Sequence, residues 1–331
     1  MEYTIEIGRE ILYLTSQDVL DIGLTEAEVY NLVEGALAEH GRKNCEMPAK
    51  IGLHPLKDTL MHAMPAFMPK YNACGIKWGA CFPENYKHGL PQTSALLILN
   101  DPNTGFPLAV MDAIWITAKR TAAVTAVACQ HLARGDSEQL GIIGTGIQGH
   151  EHLKVLAKRL PNLKRVTAYD IRADVLNAFV REFNDLLECE IIAVRDYRAA
   201  VEDSDVVISA TAILQKPNPQ IKDQWLKEGV FIAPIDFDSL WEFTTMERMH
   251  KFLVDSRDEM AYFENIGYLP NGLPKVHAEL GEVVCGAKVG RESEAENIMD
   301  MNIGMAIEDV PVAQELYQRA LKRGIGMTLP L

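Results

Sequence analysis

The sequence has few of the features that mark secreted, membrane or nucleic-acid-binding proteins. Its six cysteines are scattered without a CxxC pair, and no stretch approaches the roughly 20 apolar residues of a membrane span. Basic residues are scarce, with 32 Lys and Arg against 46 Asp and Glu and a net charge of −14. Such a surface repels nucleic acid and anionic membranes, so we expect neither as a partner.

The same scarcities bear on compartment and metal content. Widely spaced cysteines are typical of reduced thiols in the cytoplasm, and neither they nor the His, Asp and Glu residues show the spacing of a metal site. The start of the chain, residues 1–4, lacks the apolar core of a secretory signal. We therefore expect a cytoplasmic protein without a metal. Its 331 residues suggest two domains, since an average domain has about 150.

The first part of the chain mixes helical and extended patterns. Thr25–Glu28 has the pattern of a capping box and is followed by apolar residues at helical spacing. Ser94–Leu99 and Pro107–Met111 have the composition of two strands joined by a turn. Ile116–Ala133 predicts a long helix. The Pro- and Gly-containing stretch 45–89 shows no clear period and stays unassigned.

From residue 139 onward, short β-branched runs alternate with helical segments. This alternation predicts a parallel, doubly wound sheet whose strands are buried on both faces. The predicted strands are Leu140–Ile143, Arg165–Tyr169, Glu190–Val194, Asp205–Ala210, Val230–Pro234 and Phe252–Asp255. A helical tail, Met305–Arg323, follows, and we expect it to return to the first domain.

A glycine-rich turn, Gly144-Thr145-Gly146-Ile147-Gln148-Gly149, follows the first of these strands. Because it lies between a buried strand and a helix, it fits the dinucleotide-binding fingerprint. Gly144 permits the tight turn, Gly146 lets the backbone approach a pyrophosphate, and Gly149 lets helix and strand pack closely. The helix N-terminus supplies N–H groups to the phosphates. The alternative is a glycine-rich turn that binds nothing.

Residues after the next strands predict which cofactor is bound. Asp170 stands 21 residues after Gly149, where a carboxylate accepts hydrogen bonds from the ribose 2′-OH and favours NAD over NADP. Arg172 softens that preference, and a helix cap is the alternative role for Asp170. Ala210 and Thr211 are small residues where a nicotinamide ribose would pass. We expect NAD, with NADP as the second choice.

These patterns together predict an α/β fold class. We expect a Rossmann-type doubly wound parallel sheet at 119–302, which binds the dinucleotide. It is inserted into a mixed α+β domain at 1–118 plus 303–331, which is discontinuous in sequence.

Four segments of the chain resemble the ornithine cyclodeaminase/mu-crystallin family, in the family's order. They are Leu108–Asp112, Trp115–Ala123, Ala278–Val284 and Gly304–Asp309. The resemblance implies the same discontinuous architecture and a homodimer built through the N-terminal, substrate-binding domain. Members of this family reduce ketimines, oxidise or form amino acids, or cyclise ornithine to proline, and some vertebrate members bind a hormone or serve as lens proteins.

Two residues are candidates for the chemistry itself. Lys77, flanked by apolar and small residues, is by its chemistry a candidate proton donor, carboxylate anchor or surface residue, and the resemblance implies the catalytic lysine. Asp236 follows the fifth predicted strand, at the strand ends where open α/β sheets bind ligands, and the resemblance implies the catalytic aspartate. The family's usual Gly-Pro-Gly-Lys is replaced here by Phe237–Trp241, which leaves Asp238 as a competing candidate.

Further residues are candidates for binding anions. The resemblance implies that Arg120 holds the substrate carboxylate or a cofactor phosphate, with an internal salt bridge as the alternative, and Thr121 would add a hydroxyl to the phosphate. Lys50 stands where relatives carry an arginine that grips the substrate carboxylate, and a lysine cannot form that bidentate fork. His54 and His62 flank this segment, and we expect both to be structural.

We therefore expect an NAD(P)-dependent oxidoreductase that acts on a C–N bond of a small amine, imine or amino-acid-like substrate. It would be an imine or ketimine reductase or an amino acid dehydrogenase. Two alternatives stay open. One is an ornithine cyclodeaminase-type ammonia-lyase, against which Lys50 counts. The other is a non-enzymatic, crystallin-like protein that binds a small ligand, against which the joint presence of Lys77, Arg120 and Asp236 counts.

Overall fold

The computed structural model describes residues 4–331. The chain divides into two compact units, one comprising the chain up to Thr121 together with Gly304–Leu331 and the other comprising Ala122–Ile303. Residues 119–121 thus belong to the first unit and residue 303 to the second, the reverse of their sequence assignment. Residues 1–3, part of the segment used to judge a secretory signal, lie outside the described residues.

The first unit is built on a mixed seven-stranded sheet within the described chain. Its elements are β1 (Glu10–Leu14), α1 (Ser16–Ile22), α2 (Glu26–Gly41), β2 (Ile51–Leu53), β3 (Leu60–Met68), β4 (Ala73–Cys81), β5 (Thr93–Asn100), β6 (Pro107–Asp112), the start of α3 (Ile114–Leu132), and two C-terminal elements, α10 (Ala306–Arg323) and β15 (Met327–Pro330). The strand order is β15-β1-β6-β5-β4-β3-β2. Strands β1 and β6 pair in parallel, and the other neighbours are antiparallel.

One face of this sheet is covered by helices and the other retains apolar side chains at the surface. On β5, Leu97 and Leu99 are fully buried, whereas the alternate residues Leu96 and Ile98 are 47% and 39% exposed. Helix α10 packs on β3, β4 and β5 and also on α2. Helix α10 thus lies in the first unit and encloses one sheet face.

The second unit contains an all-parallel sheet with eight strands in the described residues. Its elements are β7 (Gln139–Ile143), α4 (Ile147–Arg159), β8 (Arg165–Tyr169), α5 (Ala173–Leu186), β9 (Glu190–Ala193), α6 (Tyr197–Val201), β10 (Val206–Ser209), β11 (Phe231–Pro234), α7 (Phe243–Glu247), β12 (Lys251–Val254), α8 (Arg257–Asn265), β13 (Val276–Glu279), α9 (Leu280–Val284) and β14 (Ile298–Met301). The order is β13-β12-β14-β11-β10-β7-β8-β9. The predicted fold class is confirmed. The order reverses direction at β7 and β10, the position where doubly wound sheets bind ligands.

Strands without a simple hydrophobic pattern were missed by the sequence prediction. Each predicted strand of the second unit overlaps an observed one, but β13 and β14 were not predicted, and the unassigned stretch 45–89 contains β2, β3 and β4. Strand β14 carries the buried Asp300 within an apolar run. Strand β3 is mostly apolar on both faces and includes Pro65. Strands β3 and β14 therefore lack the alternation of apolar and polar residues that marks a strand.

The described chain has no membrane-crossing helix: among residues 4–331, none is both long enough and apolar enough.

The capping box of α2 gives a test of the helix layer over the sheet. The Thr25 hydroxyl accepts a hydrogen bond from the backbone N–H of Glu28. We expect Thr25→Ala to lower the free energy of unfolding by about 1 kcal/mol, measured by urea denaturation. The control Ser16→Ala removes an exposed hydroxyl inside α1 and should change it by less than about 0.5 kcal/mol. Equal losses in the two variants would contradict the capping role.

Candidate functional site

The glycine-rich turn of the second unit has close contacts at two of its glycines and open space at the third. Gly144 has φ +90°, and a Cβ there would lie 2.4 Å from the carbonyl oxygen of Ala210. A Cβ on Gly149 would lie 2.3 Å from the carbonyl oxygen of Gly144, whereas one on Gly146 would meet nothing within 4 Å. Two glycines are thus required by the protein itself. The third leaves open space at the N-terminus of α4, where the residues fit a dinucleotide.

The carboxylate of Asp170 ties the end of β8 to this turn. Its Oδ2 accepts hydrogen bonds from the backbone N–H of Thr145 at 2.9 Å and from the Thr145 hydroxyl at 3.2 Å. Its Oδ1 accepts one from the backbone N–H of Arg172 at 2.9 Å. A carboxylate has about four acceptor sites, so these bonds leave capacity for a ribose hydroxyl. The ribose contact itself stays a prediction.

Asp236 is held by the end of the neighbouring strand β10. Its carboxylate accepts hydrogen bonds from the Ser209 hydroxyl at 2.5 Å, the Thr211 hydroxyl at 2.5 Å and the Thr211 backbone N–H at 3.2 Å. The Ser209 oxygen accepts in turn from Nε1 of Trp241 at 3.0 Å. Burial raises the pKa of Asp236, and the hydrogen bonds oppose that rise. Thr211, predicted to contact the cofactor, is thus a direct partner of Asp236.

Asp238 is a second buried carboxyl two residues further along the same turn. It is 2% exposed, and nothing in residues 4–331 donates a hydrogen bond to its Oδ1. Burial, with a contribution from Asp236, raises its pKa to about 6. Between the two, Phe237 has φ +59°, a costly conformation for a bulky residue, and its ring packs on Phe263. The strained turn therefore presents two acids with different hydrogen-bonding environments.

In the first unit, Lys77 lies on the covered face of the sheet. Its side chain is 2% exposed, and Nζ lies 2.7 Å from Oδ2 of Asp309 in the first turn of α10. Burial and the charge of Arg120 lower the pKa of Lys77, while Asp309 raises it, with a net value of about 8. A surface role for Lys77 is thereby excluded. With a pKa of about 8, Lys77 is mostly protonated at neutral pH.

Arg120, on α3, also contacts Asp309. Together with Lys77, Glu308 and Asp309 it forms a buried group of charges, which we call the charge cluster. Its Nη1 donates to Oε2 of Glu308 at 2.6 Å, and its Nε lies 3.1 Å from Oδ1 of Asp309. The guanidinium packs against Gly304, where φ is +84° and a Cβ would lie 2.2 Å from Nη1. An internal salt bridge, one of the two roles considered for Arg120, is therefore present. A role in binding an anion stays a prediction.

The remaining candidates of the first unit also have protein partners. Lys50 is 2% exposed, and its Nζ donates to the carbonyl oxygen of Gly304 at 2.7 Å. The Thr121 hydroxyl donates to the carbonyl oxygen of Thr117 at 2.7 Å, one turn earlier in α3. Gly304 is thus a neighbour of both Lys50 and Arg120. Substrate binding by Lys50 and phosphate binding by Thr121 stay predictions.

His62 is a buried imidazole beside the cations. Burial, followed by the charges of Lys50, His54 and Lys77, lowers its pKa to about 3. It is therefore neutral at pH 7. His54 is exposed, with its ring 5.8 Å from that of His62.

Comparison with known proteins identifies the family. The model of the ornithine cyclodeaminase/mu-crystallin family matches residues 10–324. The chain belongs to this family. It is 34% identical to the alanine dehydrogenase of Archaeoglobus fulgidus, over 96% of this chain and 97% of that protein.

Two solved structures are similar in fold as well as in sequence. The Thermococcus litoralis Δ1-pyrroline-2-carboxylate reductase in complex with NADH and L-proline superposes with a TM-score of 0.85 and 32% identity, covering 96% of this chain and 99% of that one. An archaeal alanine dehydrogenase dimer with bound NAD superposes with a TM-score of 0.84 and 32% identity, covering 97% and 99%. The family resemblance and the fold predicted from sequence are both confirmed.

Two residues of the charge cluster, Glu308 and Asp309, were not among the site residues predicted from the sequence. They belong to a segment, Gly304–Asp309, that resembles the family. Both have fully buried side chains, at the start of a helix face whose neighbours are apolar. Adjacent acids in an apolar helix face are a usable signal, because buried carboxylates need cationic partners. The spacing of residues along the sequence does not show which cations pair with these acids.

The open space at Gly146 predicts different effects for two neighbouring glycines. We expect Gly144→Ala to lower both Tm and NADH affinity, because a left-handed residue costs about 1–2 kcal/mol and the new Cβ meets Ala210. Gly146→Ala should leave Tm unchanged and weaken NADH binding at least about tenfold, because the methyl group enters the space proposed for phosphate. Thermal melts and NADH fluorescence titration measure the two effects. Unchanged NADH affinity in Gly146→Ala would contradict the phosphate site.

Proposed function

We propose that this protein is an NAD(P)-dependent oxidoreductase that acts on the C–N bond of a small amino-acid-like substrate. It is an imine or ketimine reductase or an amino acid dehydrogenase, with NAD preferred because of Asp170. The buried Lys77, paired with Asp309 at 2.7 Å, carries this proposal. The relatives described above support it, since one solved structure holds NADH and L-proline and another holds NAD.

The proposed reaction needs a hydride and a proton. When bound, the dinucleotide supplies or accepts the hydride at the substrate carbon. In the reducing direction, Lys77 donates a proton to the substrate nitrogen, so that C=N becomes CH–NH. Its pKa of about 8 leaves it protonated at pH 7 and close enough to that pH to donate efficiently. We therefore expect reductive turnover to fall as pH rises through about 8.

The charges around Lys77 favour a substrate that carries a carboxylate. Lys50, Lys77 and Arg120 are buried basic residues of the first unit, and Lys77 and Arg120 pair with Asp309 and Glu308. Basic side chains gathered in one buried place are suited to bind an anionic group of a substrate.

Asp236 is the proposed acid–base residue of the second unit. Its hydrogen bonds from Ser209 and Thr211 fix its position, which suits a group that orients the substrate amine or exchanges a proton with it. Asp238 is the second candidate, because its buried Oδ1 has no donor in the described chain and its pKa is about 6. Substitution of each acid by its amide decides between them.

The two units receive different tasks in this proposal. The second unit binds the dinucleotide, and the first binds substrate and forms a homodimer in the cytoplasm. All six cysteines are free thiols, which suits that compartment. The outer sheet face supports the dimer, because Trp78 on β4 pairs with Leu96 on β5, Ile98 lies two residues further along β5, and all three are 39–47% exposed. Contiguous exposed apolar residues mark interaction surfaces.

A substrate screen tests the reaction. Purified protein is given 2-keto acids with ammonia or methylamine, cyclic imines, or ornithine, and nicotinamide absorbance is followed with NADH and with NADPH. We expect turnover of a carboxylate-bearing imine, faster with NADH. Lys77→Ala should lower kcat at least about 100-fold, as expected for loss of a general acid, whereas Lys87→Ala, which removes a half-exposed lysine, should not change it.

The outcomes separate the alternatives. Turnover that survives Lys77→Ala, or a clear preference for NADPH, refutes the corresponding part of the proposal. Proline and ammonia released from ornithine would instead establish a cyclodeaminase. Asp236→Asn and Asp238→Asn are assayed alongside, and the larger loss of kcat identifies the acid that takes part.

The dimer is tested by placing a charge on the outer sheet face. We expect Leu96→Asp to convert a dimer to a monomer in size-exclusion chromatography with light scattering, because a carboxylate cannot be buried unpaired in an apolar interface. Leu186→Asp, which changes an equally apolar residue that is 62% exposed on α5 of the second unit, should leave the dimer intact. A wild-type monomer, or a Leu96→Asp dimer, would refute the proposed interface.

A further inference from the structure

The carboxylate of Asp309 lies between two buried cations. Its Oδ2 is 2.7 Å from Nζ of Lys77, and its Oδ1 is 3.1 Å from Nε of Arg120. We propose that Asp309 is the positioning residue of Lys77, which holds the ammonium at a fixed point and in its charged form. This inference rests on the proposed function, in which Lys77 is the proton donor.

The location of Asp309 explains why it can play this part. It lies in the first turn of α10, where the partial positive charge of the helix end stabilises a carboxylate. Helix α10 packs on β3, β4 and β5, so a rigid helix carries the acid and a central strand carries the lysine. Both side chains are almost completely buried, at 0% and 2% exposed. Bulk water therefore competes little for either partner.

The groups around Lys77 shift its pKa in opposite directions. Burial, Arg120 on α3 and Lys50 before β2 disfavour the ammonium, whereas Asp309 on α10 favours it. His62 on β3 is neutral at pH 7. Asp309 therefore opposes every other influence in this group. Without its charge, the pKa of Lys77 would fall further, and a smaller fraction of the lysine would be protonated and able to donate at neutral pH.

The neighbouring acid Glu308 provides an internal comparison. Glu308 is also fully buried and accepts a hydrogen bond from Arg120 at 2.6 Å, whereas Nζ of Lys77 pairs with Asp309. Both acids are in the first turn of α10. The structure thus separates two tasks, since Glu308 secures Arg120 while Asp309 secures Arg120 and Lys77 together.

The pH dependence of kcat tests the proposal. In the reducing direction, the wild type should lose activity as pH rises through the pKa of Lys77, about 8. Asp309→Asn keeps the shape and removes the charge, so this loss should move to lower pH by about 1–2 units. Activity should consequently fall about 5-fold to 50-fold at pH 8 and recover towards the wild-type value at pH 6.

Glu308→Gln is the matched control, because it makes the same chemical change at the adjacent buried position. We expect its pH profile to stay within about half a unit of the wild type, with any effect confined to KM. Asp309→Glu keeps the charge but displaces it by one methylene group. It should keep the wild-type pH profile while lowering kcat at every pH. Equal shifts in Asp309→Asn and Glu308→Gln would overturn the proposal.

A measurement without turnover separates this inference from the proposed reaction. Cyanate carbamylates only the neutral amine, so the pH dependence of Lys77 modification in the ligand-free enzyme, read by peptide mass spectrometry, reports its pKa directly. We expect half-maximal modification at lower pH in Asp309→Asn than in the wild type. An unchanged midpoint overturns the positioning role even if the enzyme reduces imines, and a shifted midpoint supports it even if no substrate is found. If Asp309→Asn does not fold, an unchanged kcat in Asp309→Glu overturns the proposal.

Discussion

The structure of the first unit depends on buried ion pairs in which Lys77 and Arg120 contact the carboxylates of Glu308 and Asp309. Removing such charges from water is expensive, and the cost is tolerable only when each charge has a partner at close range. The N-terminal turn of α10 supplies Glu308 and Asp309, and the sheet and α3 supply Lys77 and Arg120. The return of the C-terminal helix is thus a requirement of the charge cluster as well as of the hydrophobic core.

Gly304 is a neighbour of both Arg120 and Lys50. The guanidinium of Arg120 occupies the space that any side chain at residue 304 would need, and Lys50 donates to the carbonyl oxygen of the same residue. A glycine is therefore needed at residue 304, and Lys50 has a structural contact within the first unit.

In the second unit, the polar groups lie at the carboxyl ends of parallel strands. Asp170 fastens β8 to the glycine turn, and Asp236 is fastened to β10 through Ser209 and Thr211. Each acid is oriented by residues of the adjacent strand. Rigid strands that orient polar side chains are the kind of support that precise chemistry requires.

The sequence by itself determined the fold class, the glycine turn, the helix cap at Thr25 and the family, because these depend on local periodicity, backbone freedom and short motifs. It also gave Lys77 and Asp236 as candidates for the chemistry. Only the tertiary structure decided that Asp309 faces Lys77, that Thr211 binds Asp236 and that Asp170 binds Thr145. Local pattern reports which face of an element is buried, but not which distant element covers it. The partner of a buried charge is a long-range property, and it becomes known only when the chain is folded.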